Sequence, residues 1–307
     1  MNSLAADHAA CQAVLRAAGS SFALPIRLLP EAKRRGTTAL YAFCRQADDI
    51  VDDAPDAAAA RHGLDAFEAA TIAALAGEGS AEPVLRALAD TVRRFAIPPE
   101  TIQAILAGVR MDLDRAAYQT PAELEGYCRR VATAVGVAAI HVWGFIDPEA
   151  IERSDDCGLA FQYTNILRDI PEDLGRGRIY LPAEDLAACG CTADELRGGV
   201  LHAGFDRLAA RLVARTEARF ARAAALDRML STDGRLAFRA MFGVYRALLG
   251  AVRRAGRGIF TRRVKPPKPR LLAAAGLALV VGPRAWSTTA ASRAEFSRRI
   301  RQSHQDR

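Results

Sequence analysis

The chain has 307 residues, half of them hydrophobic, enough to bury one large core or two small ones. Its formal charge of +7 is moderate, and six scattered cysteines without a CxxC pair, with five separated histidines, exclude a zinc spacing and read as reduced structural thiols. No low-complexity run and no repeat of solenoid period divides the sequence, so we expect one domain over residues 1–285 and a polar C-terminal tail over 286–307.

The first eighteen residues lack a basic segment followed by an apolar one, which argues against a secretory or transit peptide and for a cytoplasmic protein. From there alanine, leucine and arginine dominate, and apolar residues recur at three and four, as in Leu64, Phe67, Ile72 and Leu75 or Leu208, Leu212 and Phe220. The pattern predicts an all-α chain with helices near 5–17, 29–52, 61–76, 84–95, 99–116, 121–143, 148–170, 193–197, 202–228, 233–257 and 268–277, and a further piece after 286. Near the C-terminus Arg253, Arg254, Arg257, Arg262, Arg263, Lys265, Lys268 and Arg270 form a basic stretch with no acid. Such a stretch can serve phosphates, nucleic acid or an anionic membrane surface, and the lack of interleaved aromatics argues against nucleic acid. The apolar segment 271–281 is too short for a bilayer, which needs about 20 residues, and reads first as a buried helix, with a peripheral place at the membrane interface as the alternative.

Two constellations carry chemistry. On the predicted helix ending near 52, Asp48 and Asp52 are four apart, as are Asp49 and Asp53, so each pair stacks on one face and repels. Carboxylates holding Mg²⁺, with water and substrate phosphate completing its shell, relieve that repulsion; a solvated acidic helix end is the plainer reading of this motif alone. In the second, Gln162, Asn165, Asp169 and Asp173 recur at three and four, and the last three share a face if the helix persists. Two acidic faces remote in sequence can meet across a bundle core and bind a diphosphate through shared magnesium ions. Arg45 beside Asp48 and Arg168 beside Asp169 can then neutralise a departing pyrophosphate. Pro171 stands between Asp169 and Asp173, where an interior proline removes a backbone hydrogen bond, so a kink or an early helix end is expected there.

The stretches Ser20 to Phe22, Leu40 to Arg45, Asp48 to Asp53, Tyr127 to Gly136, Gln162 to Asp169, Glu172 with Asp173, and Gly177 to Pro182 resemble the squalene/phytoene synthase family in order and spacing. The resemblance runs from about Ser20 to Val264. It implies a single-domain isoprenoid synthase bundle around an apolar cavity, acting on prenyl diphosphates with Mg²⁺. It further implies that Asp48 and Asp52 bind metal from one side and Asn165, Asp169 and Asp173 from the other. Arg45, Arg168, Tyr245 and Arg263 then contact diphosphate, Tyr41, Tyr127, Gln162 and Tyr180 lie near the reacting carbons, and Ser21 and Phe22 belong to the substrate site. Thr133 stands at a usual glycine, Tyr163 at a usual aliphatic position, and Ala18 where some members carry histidine, which leaves pocket width open.

Head-to-head condensation through a cyclopropylcarbinyl diphosphate is the activity the resemblance implies. Gly136, Ile140 to Gly144 and Arg263 to Lys265 look slightly closer to squalene or presqualene diphosphate synthases, so farnesyl diphosphate is expected, with geranylgeranyl diphosphate to phytoene as the alternative. No Gly-rich dinucleotide fingerprint is present, so NADPH is not indicated by a motif, although reducing members bind it without one. A terpene cyclase and a non-catalytic assembly factor are the rivals. The retained polar positions oppose the assembly factor, and the segment from Asp169 to Pro182 opposes the cyclase. The sequence sets no oligomeric state.

Overall fold

Helix formers fill the chain and glycine or proline punctuates it, so the elements are short rods joined by tight turns. The computed structural model describes residues 4–20, 22–114 and 117–283, which form fourteen α-helices and, among the described residues, no β-strand. They are α1 (Leu4–Ala17), α2 (Ala23–Arg27), α3 (Glu31–Asp52), α4 (Ala57–Ala76), α5 (Pro83–Arg94), α6 (Pro99–Asp114) and α7 (Pro121–Cys128). There follow α8 (Ala134–Trp143), α9 (Glu149–Gly175), α10 (Ala183–Ala188), α11 (Ala193–Arg197), α12 (Ala203–Ala223), α13 (Thr232–Ala255) and α14 (Lys268–Val281). The all-α expectation holds, and the differences are local. Helices α2 and α10 are too short to show a period. The segment expected as one helix over 121–143 contains a π turn at Arg129–Thr133, and the tails of α12 and α13 tighten into 3-10 turns. Ser21, the piece expected after 286 and the tail lie outside the described residues.

Of the kink or early end expected at Pro171, the early end does not occur, because α9 continues to Gly175. Pro171 stands inside the helix, a little more than one turn before its end, where its missing N–H removes one bond of the ladder, and the end is closed by two backbone bonds, Arg178 N to Asp173 O at 2.8 Å and Gly177 N to Leu174 O at 3.0 Å. Gly177 takes the left-handed conformation this closure needs, with φ of +75°. Asp173 therefore stays on the helix.

Helix α3 runs through the bundle, its buried stripe including Ala39, Leu40, Phe43 and Ala47. Lys33 fixes its start by donating to Trp143 O at 2.6 Å and to Asp233 at 2.9 Å, while Trp143 Nε1 donates to Thr37 Oγ1 at 3.1 Å. These bonds tie α3 to α8 and α13. Helix α8 in turn packs on α3, α6 and α9, which stand around it, and α9 lies along α12. The six cysteines are unpaired, all but Cys44 buried.

The π turn is held by two bare backbones. A Cβ on Gly108 of α6 would come within 2.7 Å of Val131 and 3.0 Å of the Arg130 backbone, and one on Gly158 of α9 within 2.7 Å of the Thr133 backbone. Thr133 itself donates to Asp155 of α9 at 2.9 Å. Gly158→Ala should therefore force the two elements apart and lower stability by about 1–3 kcal/mol in chemical denaturation, against less than about 0.5 kcal/mol if the contact can relax.

Candidate active site

Two acidic walls face one another. On α3, Asp48 carries no hydrogen bond among the described residues, whereas Asp49 is held by Arg45 (Nε to Oδ2, 3.0 Å) and Asp52 accepts from Arg176 at 2.7 Å and Arg178 at 3.2 Å. On α9, Asp169 is gripped by Arg168, with Nε at 2.7 Å from Oδ1, and lies 3.7 Å from Arg263, which also meets Glu172 at 3.1 Å. The turn at Gly177, flanked by Arg176 and Arg178, thus sends two arginines from the second wall to the first. Helices α3 and α9 both rest on α8, and Asp48 on one wall and Asn165, Asp169 and Asp173 on the other keep accessible surface, so the space between the walls is read as the cleft of the site.

A residue that the motifs do not include stands between them. Asp112, near the end of α6, accepts from the Tyr180 hydroxyl at 2.8 Å and the Tyr127 hydroxyl at 3.2 Å. Burial raises its pKa, and its charge in turn helps raise both Asp48 and Asp173, so it is in electrostatic reach of each wall. The sequence did contain a signal: Asp112 continues the buried stripe Ile102, Ile105 and Val109 at helical spacing, and an acid on an apolar stripe needs partners.

Asp48 retains accessible surface at the cleft but is surrounded by protein. Burial first, then Asp52 and Asp112, push its pKa up to about 7. Asp173 reaches about 7 through burial, with Asp169 and Asp112 adding to it and Arg178 opposing. The local field calls for cations. The donors are hard oxygens, and no three acids, thiols or imidazoles among the described residues form a closed cage by themselves. That arrangement fits magnesium shared with a diphosphate, since Mg²⁺ usually keeps water and phosphate oxygens in its shell.

Aromatic rings line the rest. Phe22 lies 6.0 Å from Tyr41 and 5.8 Å from Tyr245, and Phe161 stacks on Tyr245 at 4.0 Å. Phe161 is a second residue the motifs missed. Tyr245 shares a hydrogen bond with Asn165, whose Nδ2 donates to Gln162 at 3.4 Å. A separate group comprises Tyr118, Tyr127 and Tyr180, with Tyr127 and Tyr180 stacked at 5.1 Å. The sequence candidates Phe22, Tyr41, Gln162, Asn165 and Tyr245 are thus brought together, as are Tyr127 and Tyr180. Ser21 lies outside the described residues, and neighbouring Ser20 accepts the Phe22 N–H at 3.2 Å. Tyr163 points away from this wall, donating to Glu125 at 3.2 Å, and does not narrow the cleft. A groove of about 320 Å³ between α1, α3 and α5, lined by His8, Arg35, Asp90 and Arg94, stands apart from both walls.

Comparison with known proteins agrees with this geometry. Residues 15–270 match the squalene/phytoene synthase family profile. The chain is 34% identical to the 15-cis-phytoene synthase of Synechocystis sp., over 85% of this chain and 81% of that one. It is 37% identical to the presqualene diphosphate synthase of Rhodopseudomonas palustris, over 71% and 77% of the two chains. A crystal structure of a dehydrosqualene synthase in complex with ligand superposes with a TM-score of 0.83 at 27% identity, covering 93% of this chain and 98% of that one.

The raised carboxylates set a pH dependence. Between the ordinary carboxylate range and about 7 these two groups hold protons in the folded chain that the unfolded chain has released, so their contribution to stability is fully present in acid and is lost as pH rises through 7. Without added metal, this contribution to Tm should decline between about pH 5 and 8. Asp48→Asn should flatten that decline in a thermal-shift series; an unchanged slope would mean that Asp48 is not under strain.

Proposed function

The chain belongs to the squalene/phytoene synthase family, and on that premise we propose that it joins two allylic prenyl diphosphates head to head at the cleft between α3 and α9. The observation that carries this reading is the convergence of Asp48 and Asp52 with Asp169 and Asp173 around Asp112, bridged by Arg176 and Arg178. Magnesium held by Asp48 and Asp52 on one wall and Asn165, Asp169 and Asp173 on the other would neutralise the diphosphates and so favour their departure.

Arg45, Arg168 and Arg263 supply fixed positive charge for the leaving pyrophosphate, in exchange for the carboxylates they now hold. As the C–O bond of one substrate breaks, the faces of Phe22, Tyr41, Phe161 and Tyr245 meet the allylic cation. The double bond of the other substrate attacks, and loss of a proton closes the cyclopropane ring. Burial holds Tyr127 and Tyr180 well above the ordinary phenol range, so both remain protonated and donate to Asp112. A proton reaching either phenol oxygen can displace its own proton onto Asp112, whose raised pKa suits it as the acceptor. The cyclopropylcarbinyl diphosphate then loses its pyrophosphate and rearranges. Apolar walls exclude the water that would quench each cation.

For the substrate, names of relatives give the support. Phytoene synthases predominate among them, which favours geranylgeranyl diphosphate and a phytoene product formed by proton loss without NADPH. The presqualene diphosphate synthase relative supports the farnesyl reading, in which the reaction stops at the cyclopropyl product or ends by NADPH reduction to squalene. Incubation with each diphosphate and Mg²⁺, with and without NADPH, should yield one dimeric product. A monomeric cyclic terpene, or no turnover, would overturn the assignment. In the same assay Asp48→Asn and Asp169→Asn should each lower turnover by at least about a thousandfold with unchanged far-UV circular dichroism. Near-normal product formation by either variant would contradict the two-wall site.

A further inference from the structure

Helix α14 folds back along α13, and among the described residues only one side of it is covered. Ala275 and Ala278 are buried in a small core with Ala240 and Val244, close enough that a Cβ on Gly243 would stand 2.5 Å from Ala274 O. The opposite side presents Pro269, Leu272, Ala273, Gly276, Leu277 and Val280, all exposed or half-buried and none polar. Leu272, Leu277 and Val280 keep 53%, 51% and 82% of their surface. A single exposed leucine needs no explanation, but a helix face apolar along its whole length does. The buried C-terminal helix expected from the sequence is therefore half right.

The charge around this face is one-sided. No acid occurs from Gly234 to Pro283. Arg254, Arg262, Lys265 and Arg270 have no acidic partner among the described residues, and Arg254 lies close enough to Arg270 for the two to repel. An uncompensated cationic cluster beside an apolar helix face is complementary to an anionic lipid surface, where apolar burial and charge attraction add. At fourteen residues α14 is about 21 Å long, too short to cross a hydrocarbon layer of about 30 Å, and no described helix is long and apolar enough to cross a membrane.

We infer that the outer face of α14, with Arg254, Arg262, Lys265 and Arg270, is a docking surface for an anionic lipid bilayer, on which the helix lies in the interfacial plane. The surface is joined to the active site at both ends. Arg263, which pairs with Glu172, sits within the basic segment, and Leu24 and Leu28, in and just after α2, the helix that follows Phe22, pack against the α14 core. Docking sets the acidic cleft one helix layer from the bilayer, a source of long-chain substrates and a sink for a hydrocarbon product.

Vesicle flotation tests this without turnover, so its outcome is independent of the proposed reaction. The full chain should float with phosphatidylcholine–phosphatidylglycerol vesicles and much less with pure phosphatidylcholine. Leu272→Ser/Leu277→Ser/Val280→Ser should lose at least about tenfold in vesicle affinity while keeping helical content and activity on detergent-dispersed substrate. Arg254→Gln/Arg262→Gln/Lys265→Gln/Arg270→Gln should abolish the preference for anionic vesicles, by roughly fivefold per charge removed. Absence of flotation by the full chain, equal flotation of the serine variant, or a persisting anionic preference in the glutamine variant would overturn the inference. So would a self-associated chain that does not float and that the serine substitutions convert to monomer, since the face would then belong to a second copy.

Discussion

Carboxylates from three helices, α3, α6 and α9, are brought within mutual repulsion, and the rest of the structure can be understood from how that repulsion is managed. Asp48, Asp112 and Asp173 all have raised pKa values, burial being the first cause and neighbouring acids adding to it. Like charges held this close and partly shielded from water oppose one another's ionisation unless cations or hydrogen-bond donors offset them. Here arginines on the second wall bridge to the first, and two phenols satisfy the central acid. The scaffold behind them is rigid. Lys33 and Trp143 lock α3 to α8 and α13, and Gly108 and Gly158 let the π turn wedge between α6 and α9 immediately after Tyr127. Such π turns recur at functional sites because they shift side chains by a fraction of a helical turn.

Much of this was legible in the sequence, and what was not had physical reasons. Spacings of three and four gave the long helices and both acidic faces, because a period is a property of one element. Asp112 escaped notice because its partners, Tyr127 and Tyr180, come from other segments, and only the fold shows that an acid on the α6 stripe is shared between them. Phe161 was missed for a similar reason: an aromatic on a helix reads as core until Tyr245 is seen stacked upon it. Of the kink or early end expected at Pro171, the early end does not occur: one interior proline removes a single ladder bond, and the helix runs on to a close at Gly177. Short α2 and α10 carry too few residues for any period to emerge.

Family membership gives the class of chemistry, whereas the chain length of the substrate is a matter of pocket depth, which no motif encodes. The basic C-terminal segment joins these themes. One of its arginines reaches the acidic wall, and its neighbours flank an apolar helix face.

The central claim is that the two walls act as one site on one diphosphate group, and a thermodynamic cycle tests it. Calorimetric binding of inorganic pyrophosphate in the presence of Mg²⁺ should be measured for the wild type, Asp48→Asn, Asp169→Asn and the double variant. If the walls share the ligand, each single substitution should lose most of what the double loses, giving an interaction energy above about 1 kcal/mol. Strictly additive losses would mean that the walls bind separately, and the shared site would be contradicted.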